Sequence, residues 1–287
     1  MIAAPPFFAA YQSLVNAELD RLVTVDSSAV SKSMAYTVSA PSKRVRPVLT
    51  LLAAEVCGGT SAHAVAAAAA IELVHASSLI LDDLPSMDDA PLRRGREANH
   101  LVFGESIAIL AAFGLLNLAY RTLVRGYEPA VSARLTSVLS EAVGLDGLIG
   151  GQAIDLLATD QQINFKTLER IHRGKTGALF SAAATAGGIV SGASSDILGS
   201  LAAYAKNLGL AFQVIDDLLD VQGNPTETGK ATREDLKKTT FVSFSGIGGA
   251  RQLAMELCQT ADLALEPFGR RGDRLRELSA FVAARSW

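Results

Sequence analysis

The chain has 287 residues and a formal net charge of -3 at pH 7. This length suits one large domain or two average ones, and it is enough to bury a large core. Because the net charge is slightly negative, no overall basic field points to nucleic acid as a partner. The lysines and arginines instead gather in short clusters along the chain.

Two cysteines, Cys57 and Cys258, are too few for a disulfide framework, and neither has a partner at metal-ligand spacing. This usage favours a reducing compartment. The N-terminal sequence lacks the basic start, apolar run and small-residue cleavage site of a signal peptide. We therefore expect a cytoplasmic protein.

The hydrophobic pattern is helical along nearly the whole chain. Alanine and leucine dominate, and short breaks carry Gly, Pro, Ser or Asn. Strands do not alternate with helices, and no hairpin turn separates two alternating runs. The pattern predicts one all-α domain over residues 1–287, with about ten helices packed around a centre.

The first strongly apolar segment runs from Ala64 to Leu81. It contains Glu72 and His75, and an acidic residue in the middle of a membrane span costs roughly 2.5–3.5 kcal/mol. We therefore interpret it as a helix surrounded by other helices and not as a membrane span. A histidine in such a helix is more often a core residue than a ligand.

The first acidic cluster, Asp82 to Asp89, follows that helix directly and contains four aspartates. Pro85 disfavours helical geometry at the preceding residue, so we expect the helix to end there. The C-terminal end of a helix is electrostatically unfavourable for negative charge. The cluster therefore predicts a positively charged partner.

Further helices are predicted over 105–123, 130–145, 197–221 and 250–265. The second acidic cluster, Asp216, Asp217 and Asp220, lies within one of them. Asp216 and Asp220 share a helix face at i,i+4 spacing, where like charges destabilise a helix. Burial among apolar neighbours would cost more unless a cation is bound.

Oxygen-only clusters select hard cations, and magnesium completes its shell with waters and substrate phosphates. Neither cluster has the spacing of a calcium loop. One cluster alone would be interpreted as a solvated helix end, but two favour facing magnesium sites.

Basic residues beside them predict phosphate contacts: Lys43, Arg44, Arg46, Arg93, Arg94, Lys175, Lys230, Lys237 and Lys238. Lys175-Thr176-Gly177 is predicted to open a helix whose free N–H groups also meet phosphate. Together these residues indicate a diphosphate with an apolar tail.

A set of ordered motifs resembles the trans-type polyprenyl synthetases over nearly the whole chain, in particular the bacterial geranylgeranyl diphosphate synthase type of carotenoid pathways. The motifs are KRVRP from Lys43, His75, DDLPSMDD from Asp82, LRRGR from Leu92, GQAIDL from Gly151, KTG from Lys175 and FQVIDDLLDV from Phe212. One departure is Pro41-Ser42, where the family usually has two glycines.

The resemblance implies an all-helical fold around a deep central cavity, a homodimer and about three magnesium ions. It implies head-to-tail condensation of isopentenyl diphosphate with an allylic diphosphate. A terpene cyclase or a head-to-head synthase fits less well, because the second motif is an aspartate cluster and the isopentenyl-binding residues are present. A non-catalytic regulatory subunit is a further alternative, although such subunits commonly lose one acidic motif.

The resemblance also assigns site residues. Metal ligands are Asp82, Asp88, Asp216 and Asp220, supported by Asp83, Asp89 and Asp217. Isopentenyl diphosphate is bound by Lys43, Arg46, His75 and Arg94. The allylic diphosphate is bound by Arg93, Lys175, Thr176, Gln213, Lys230 and Lys238, of which Lys175, Thr176 and Gln213 are the catalytic set. The choice of Lys238 over Lys237 stays open.

Product length depends on cavity depth. Ser78 and Ser77 precede Asp82 by four and five residues, which places them about 6–7.5 Å down the helix. Farnesyl-producing bacterial members tend to carry an aromatic residue at the fifth position, so the small Ser77 predicts geranylgeranyl diphosphate. Val74, Phe113 or Leu116 could still close the floor and leave farnesyl diphosphate. Close helix packing is the other interpretation of the two serines.

Overall fold

The computed structural model describes residues 5–222 and 239–284, without the side chain of Gln222. Within these ranges the predicted all-α class is confirmed, with thirteen α-helices. They are α1 (Pro6–Leu22), α2 (Ala29–Val38), α3 (Val45–Val56), α4 (Ser61–Asp82), α5 (Asn99–Phe103), α6 (Glu105–Gly126), α7 (Pro129–Val143), α8 (Leu148–Ala158), α9 (Phe165–His172), α10 (Ala178–Val190), α11 (Ser195–Gln222), α12 (Phe241–Leu263) and α13 (Asp273–Ala283).

Helix α4 occupies the centre of the molecule. It begins at Thr60, whose side chain accepts a hydrogen bond from the His63 N–H, and it is buried on nearly all sides. Ala64 and the run from Ala67 to Ala70 have almost no exposed surface and allow close approach of α3, α6 and α10. The interpretation of this segment as a helix surrounded by others is therefore supported.

Two helices, α4 and α6, are long and apolar enough to cross a membrane by length and composition. In α4, 67% of the most apolar 18-residue stretch is buried inside the protein, whereas in α6 the buried share of that stretch is 44%. The difference arises because α6 carries large apolar side chains on its outer face, including Leu110 and Phe113.

A second, smaller core holds the C-terminal half of α11 against α9 and α12. Leu168, Val214, Leu218 and Phe241 are almost completely buried there. Because this core packs one face of α11, the opposite face can carry the second acidic cluster.

A short antiparallel hairpin, β1 (Leu92–Arg93) with β2 (Arg96–Glu97), is the exception to the helical pattern in the described ranges. Its two turn residues, Arg94 and Gly95, have φ of 56° and 75°. Positive φ at both positions is typical of a type I′ hairpin turn. No strands were predicted from the sequence, because two-residue strands are too short to give an alternating pattern.

Candidate active site

The first acidic cluster forms a tight turn at the end of α4. The N–H of Asp88 donates to the carbonyl of Asp82 at 2.9 Å, and the N–H of Asp89 donates to the carbonyl of Leu84 at 3.1 Å. The helix ends at Asp82 as Pro85 predicted. The turn brings Asp82 and Asp88 together, the two residues predicted to bind metal on this side.

Asp83 faces away from solvent in this turn, and only 2% of its surface is exposed. Its Oδ1 accepts hydrogen bonds from Nε of Arg93 at 2.8 Å and from Nη2 of the same guanidinium. Burial raises the pKa of Asp83, and the Arg93 contacts oppose that rise. Arg93 therefore neutralises a carboxylate that has little access to water.

Burial also raises the pKa of Asp82, with Lys175 opposing the rise and Asp88 adding to it. The charged form of Asp82 is thus disfavoured by its surroundings. A bound cation would relieve this cost.

The segment Arg173–Gly177 is a π-helical turn that continues from α9 directly into α10. The prediction that Lys175-Thr176-Gly177 opens a helix with free N–H groups is therefore wrong. In a π turn the N–H groups bond to carbonyls five residues earlier in the same helical run. Such turns are frequent at functional sites.

The π turn packs directly against α8. A Cβ added to Gly151 would lie 2.2 Å from the backbone N of Lys175. Asp155, one helical turn further along α8, accepts from Nζ of Lys175 at 2.8 Å. In the sequence, the GQAIDL motif served as a family marker, and Asp155 received no role. The motif thus has two structural functions, a close backbone contact and a carboxylate that holds Lys175.

The second acidic cluster is connected to this turn through side-chain hydrogen bonds. Oγ1 of Thr176 donates to Oε1 of Gln213 at 3.1 Å, and Nε2 of Gln213 donates to Oδ1 of Asp217 at 3.1 Å. The other carboxylate oxygen of Asp217 accepts from the Phe241 N–H at 2.9 Å. Asp216 and Asp220 are partly exposed, one helical turn apart on α11.

The π turn therefore lies between the two acidic clusters. Lys175 acts electrostatically on Asp82 at the end of α4, and its neighbour Thr176 contacts Gln213, three residues before Asp216. Among the described residues, no group of three or more His, Cys, Asp or Glu is placed to hold a metal ion alone. The donors are oxygens, which suit magnesium, and phosphate or water would have to complete its shell.

A basic cluster lies beside the first acidic cluster, where α3, α4 and the hairpin meet. Nη1 of Arg46 lies 3.4 Å from Nε2 of His75, and the Arg46 guanidinium stands 4.6 Å from the Phe180 ring centroid. Burial, and then the charges of Arg46, Arg94, Arg93 and Arg44, hold the pKa of His75 well below its usual value. This shift favours the neutral imidazole form of His75.

Arg94 lies at the tip of the hairpin, and burial lowers its pKa. Its Nη1 atom is buried and has no hydrogen-bond partner among the described residues. A buried donor without a partner is costly, and an anion would satisfy it. The backbone carbonyl of Lys43, at the other side of this cluster, accepts from Nε2 of Gln12 at 2.9 Å. The predicted residues Lys230 and Lys238, and the alternative Lys237, lie outside the described residues.

An all-α bundle in which two aspartate clusters flank a π turn, with arginines beside them, has the architecture of the isoprenoid synthases. The family model described as Polyprenyl synthetase matches residues 27–255. The chain belongs to the polyprenyl synthetase family. It is a prenyltransferase that synthesises short-chain prenyl diphosphates.

Similar proteins agree with this assignment. The chain is 39% identical to a dimethylallyltranstransferase of Fischerella ambigua, over 98% of this chain and 84% of that protein. It is 38% identical to the chloroplastic geranylgeranyl pyrophosphate synthase of Capsicum annuum, over 94% of this chain and 76% of that protein.

Solved structures show the same fold. The apo crystal structure of an FPP/GFPP synthase from Zymomonas mobilis has a TM-score of 0.88 at 32% identity, covering 96% of this chain and 97% of that one. The geranyltransferase of Helicobacter pylori, complexed with magnesium and isoprenyl diphosphate, has a TM-score of 0.86 at 28% identity, covering 98% and 99%.

Proposed function

We propose that this protein condenses isopentenyl diphosphate with an allylic diphosphate head to tail and that its main product is geranylgeranyl diphosphate. The observation that carries the substrate assignment is the buried Nη1 atom of Arg94 in a cluster with Arg46 and neutral His75. This basic cluster is adjacent to the acidic turn but separate from it. It supplies a second anion site, as a reaction between two diphosphates requires.

Isopentenyl diphosphate would be bound by Lys43, Arg46, His75 and Arg94. Guanidinium groups suit this task because they make paired hydrogen bonds to phosphate oxygens. A neutral His75 can accept a hydrogen bond from Arg46 with one ring nitrogen, which keeps the guanidinium oriented.

The allylic diphosphate would be bound between the two acidic clusters. Arg93, Lys175, Thr176 and Gln213 are the described residues that we assign to it, and Lys230 and Lys238 complete the set. The contacts of Lys175 with Asp155 and of Thr176 with Gln213 support this placement.

Magnesium would be held by Asp82 and Asp88 on one side and by Asp216 and Asp220 on the other, with about three ions in total. The turn that joins Asp88 to Asp82 supports the first pair, and the relative from Helicobacter pylori is complexed with magnesium. When bound, the ions supply positive charge to the departing diphosphate. Asp83 and Asp217 would support the ligands through their contacts with Arg93, Gln213 and Phe241.

The residues of this chain have three tasks in the reaction. Arg93 and Lys175 stabilise negative charge on the allylic diphosphate as it leaves. Arg46 and Arg94 hold isopentenyl diphosphate so that its double bond attacks the allylic carbon. Apolar side chains such as Phe180 exclude water, which would capture the allylic cation. The final proton goes to the released pyrophosphate, and no protein nucleophile is required.

The proposed product length depends on the α4 side chains that would line the cavity below Asp82. Ser77 is 5% exposed, and its Oγ donates to the carbonyl of Ala112 on α6 at 2.8 Å. This contact gives the serine a role in close helix packing as well. Oγ of Ser78 donates within its own helix, to the carbonyl of His75 at 2.9 Å. Val74 is buried, whereas Phe113 is 63% exposed on the outer face of α6 and does not close the floor within this chain.

Deeper along α4, Ala67, Ala70 and Ile71 line a small apolar void of about 10 Å³ between α4, α6, α7 and α10, room for about one water molecule. Ala70 is twelve residues before Asp82, about 18 Å along the helix axis. The alanines at this depth pack closely against α6 and α10, so the proposal of a product longer than farnesyl diphosphate rests on the small Ser77. Val74, which is buried, and Leu116, which is partly buried, remain the candidates for a floor residue.

The decisive experiment is an assay with isopentenyl diphosphate and each allylic diphosphate, with and without magnesium, followed by chromatography of the products. We expect geranylgeranyl diphosphate and loss of activity when EDTA removes the metal. Farnesyl diphosphate as the end product would contradict the assigned length. Absence of condensation with any primer would favour a regulatory subunit. Ser77→Phe should shorten the product, and Ser77→Ala, which removes only the hydroxyl, should not.

We also propose a homodimer formed through the outer face of α5 and α6. Large apolar side chains are exposed along it: Leu101, Val102, Ile109, Leu110, Phe113 and Val124. Contiguous apolar patches of this kind mark interfaces, and a two-fold dimer pairs the same patch on both subunits. Phe113→Asp should give a monomer in light scattering, whereas Leu263→Asp, an exposed apolar control on α12, should remain a dimer.

A single polyprenyl synthetase domain over 1–287 is proposed as well. Helices outside the matched range pack on it: Tyr11 of α1 donates to Glu55 of α3 at 2.6 Å, and Tyr204 of α11 donates to the carbonyl of Leu275 in α13 at 2.7 Å. A cytoplasmic location and a place in carotenoid formation are supported by cysteine usage and by the family resemblance.

A further inference from the structure

A buried ion pair lies at the back of the basic cluster, outside the residues assigned above. Glu72 on α4 is 1% exposed, and Arg44 is 4% exposed. Nη1 of Arg44 donates to Oε1 of Glu72 at 2.6 Å, and Nε donates to Oδ1 of Asn16 at 3.0 Å. Its Nη2 donates to the carbonyl of Val38. The three nitrogens of Arg44 therefore bind protein groups, which distinguishes this arginine from its neighbours.

The same carboxylate oxygen of Glu72 also faces Arg94. Nη2 of Arg94 lies 3.9 Å from Oε1 of Glu72, while its Nη1 is the buried atom without a partner among the described residues. One nitrogen thus faces a protein carboxylate at ion-pair distance. The other remains for a ligand.

Both arginines have a backbone that is unfavourable for residues with a side chain. Arg44 has φ of 51° and Arg94 has φ of 56°, in the left-handed region that non-glycine residues rarely adopt. Such conformations persist where the surrounding contacts hold them. Glu72 is a contact that the two loops share, because Arg44 precedes α3 and Arg94 forms the tip of the hairpin.

We propose that Glu72 is a positioning residue for the isopentenyl diphosphate site. It attracts the Arg94 guanidinium directly. Through Arg44 it fixes the loop that carries Lys43 and the start of α3, which carries Arg46. This inference rests on the proposed function of Lys43, Arg46 and Arg94 as ligands of that diphosphate. The allylic site, on the other side of the acidic turn, is expected to be insensitive to Glu72.

The test is Glu72→Gln, which keeps the shape of the side chain and removes its charge. We expect KM for isopentenyl diphosphate, and its Kd measured calorimetrically without an allylic substrate, to rise roughly tenfold, as for the loss of one charge-assisted contact. KM for the allylic diphosphate and kcat should change less than about twofold. Glu55→Gln is the matched control, because Glu55 pairs with Arg274 on a distant surface; both KM values should be unchanged.

A single uncharged residue opposite buried Arg44 can prevent folding. The double variant Arg44→Met with Glu72→Gln removes both buried charges and still deprives Arg94 of its carboxylate. It should show the same selective weakening. An unchanged Kd, or an equal rise of both KM values, in a folded variant would overturn the proposal.

Arg94→Ala separates this inference from the proposed function. If Arg94→Ala weakens isopentenyl diphosphate binding while Glu72→Gln does not, the site assignment stands and the role of Glu72 is refuted. If Arg94→Ala has no effect, the assignment of Arg94 as a ligand is refuted, and the proposed role of Glu72 falls with it.

Discussion

Each acidic cluster contains a pair of consecutive aspartates, Asp82–Asp83 or Asp216–Asp217, and the two pairs have the same arrangement. In each pair the second residue is buried, with 2% of Asp83 and 3% of Asp217 exposed, and its carboxylate accepts hydrogen bonds from the protein. The first residue of each pair, Asp82 or Asp216, is partly exposed. The buried carboxylate, Asp83 or Asp217, is therefore the anchor that holds its segment in place. Its neighbour, Asp82 or Asp216, is the residue presented to the candidate active site.

The clusters differ in what holds the anchor. Asp83 lies at the end of a helix, where the helix dipole disfavours negative charge, and a guanidinium compensates it. Asp217 lies within α11 and accepts from neutral donors, the Gln213 amide and the N–H of Phe241 at the start of α12. A helix N-terminus favours negative charge. The guanidinium of Arg93 therefore stands where the helix dipole opposes the carboxylate.

The largest expected effect is a loss of kcat, and it tests whether Asp82 and Asp216 have equivalent functions. Asp82→Asn and Asp216→Asn should each lower kcat about 100–1000-fold, because both remove a proposed metal ligand. Steady-state assays over a magnesium titration measure this, with exposed Asp146→Asn as the control. Retention of activity in only one of the two variants would show that the clusters have different functions.

The next effect is a loss of stability when a partner of Asp83 or Asp217 is removed. Arg93→Met leaves Asp83 buried without its cation and should lower the free energy of unfolding by about 2–4 kcal/mol. Gln213→Ala removes a neutral donor to Asp217 and should cost about 1–2 kcal/mol. Chemical denaturation of both variants gives the comparison. Equal losses would mean that a charged and a neutral partner stabilise the anchors equally.

The smallest effect is a pH dependence at Asp82, whose pKa is raised by burial. Because the folded protein holds this proton more tightly than the unfolded chain, the stabilising contribution is present at low pH. It is lost as pH rises from the unfolded value near 3.8 through the folded pKa. Without metal, Asp82→Asn should therefore gain stability relative to the wild type as pH rises towards 7, by on the order of 1 kcal/mol. Denaturation in EDTA at several pH values measures this difference; a constant difference would contradict it.

Much of the fold follows from sequence because long apolar periodicity and proline are local signals. The helix predicted over Ala64 to Leu81 is α4, Ser61–Asp82, and the segment 197–221 is α11, Ser195–Gln222. The acidic clusters were found for the same reason, since several carboxylates in a short run are visible without any tertiary information.

Features that depend on contacts distant in sequence were missed. The π turn at Arg173–Gly177 looked like a helix start, because its packing on Gly151 cannot be read from local residues. Glu72 and Arg44 were single charges 28 positions apart, and only folding brings them together. Asp155 belonged to a recognised motif, but its partner Lys175 lies 20 positions further along the chain.

The glycine contact between α8 and the π turn limits how this enzyme can be redesigned. A methyl group at position 151 would lie 2.2 Å from the Lys175 nitrogen, and one at position 174 would lie 2.8 Å from the Gly147 carbonyl oxygen. Mutant libraries that randomise these two codons will therefore consist mainly of members with a displaced Lys175. Diversity for new substrates is better introduced at Ser78, whose hydroxyl donates to the carbonyl of His75 in its own helix.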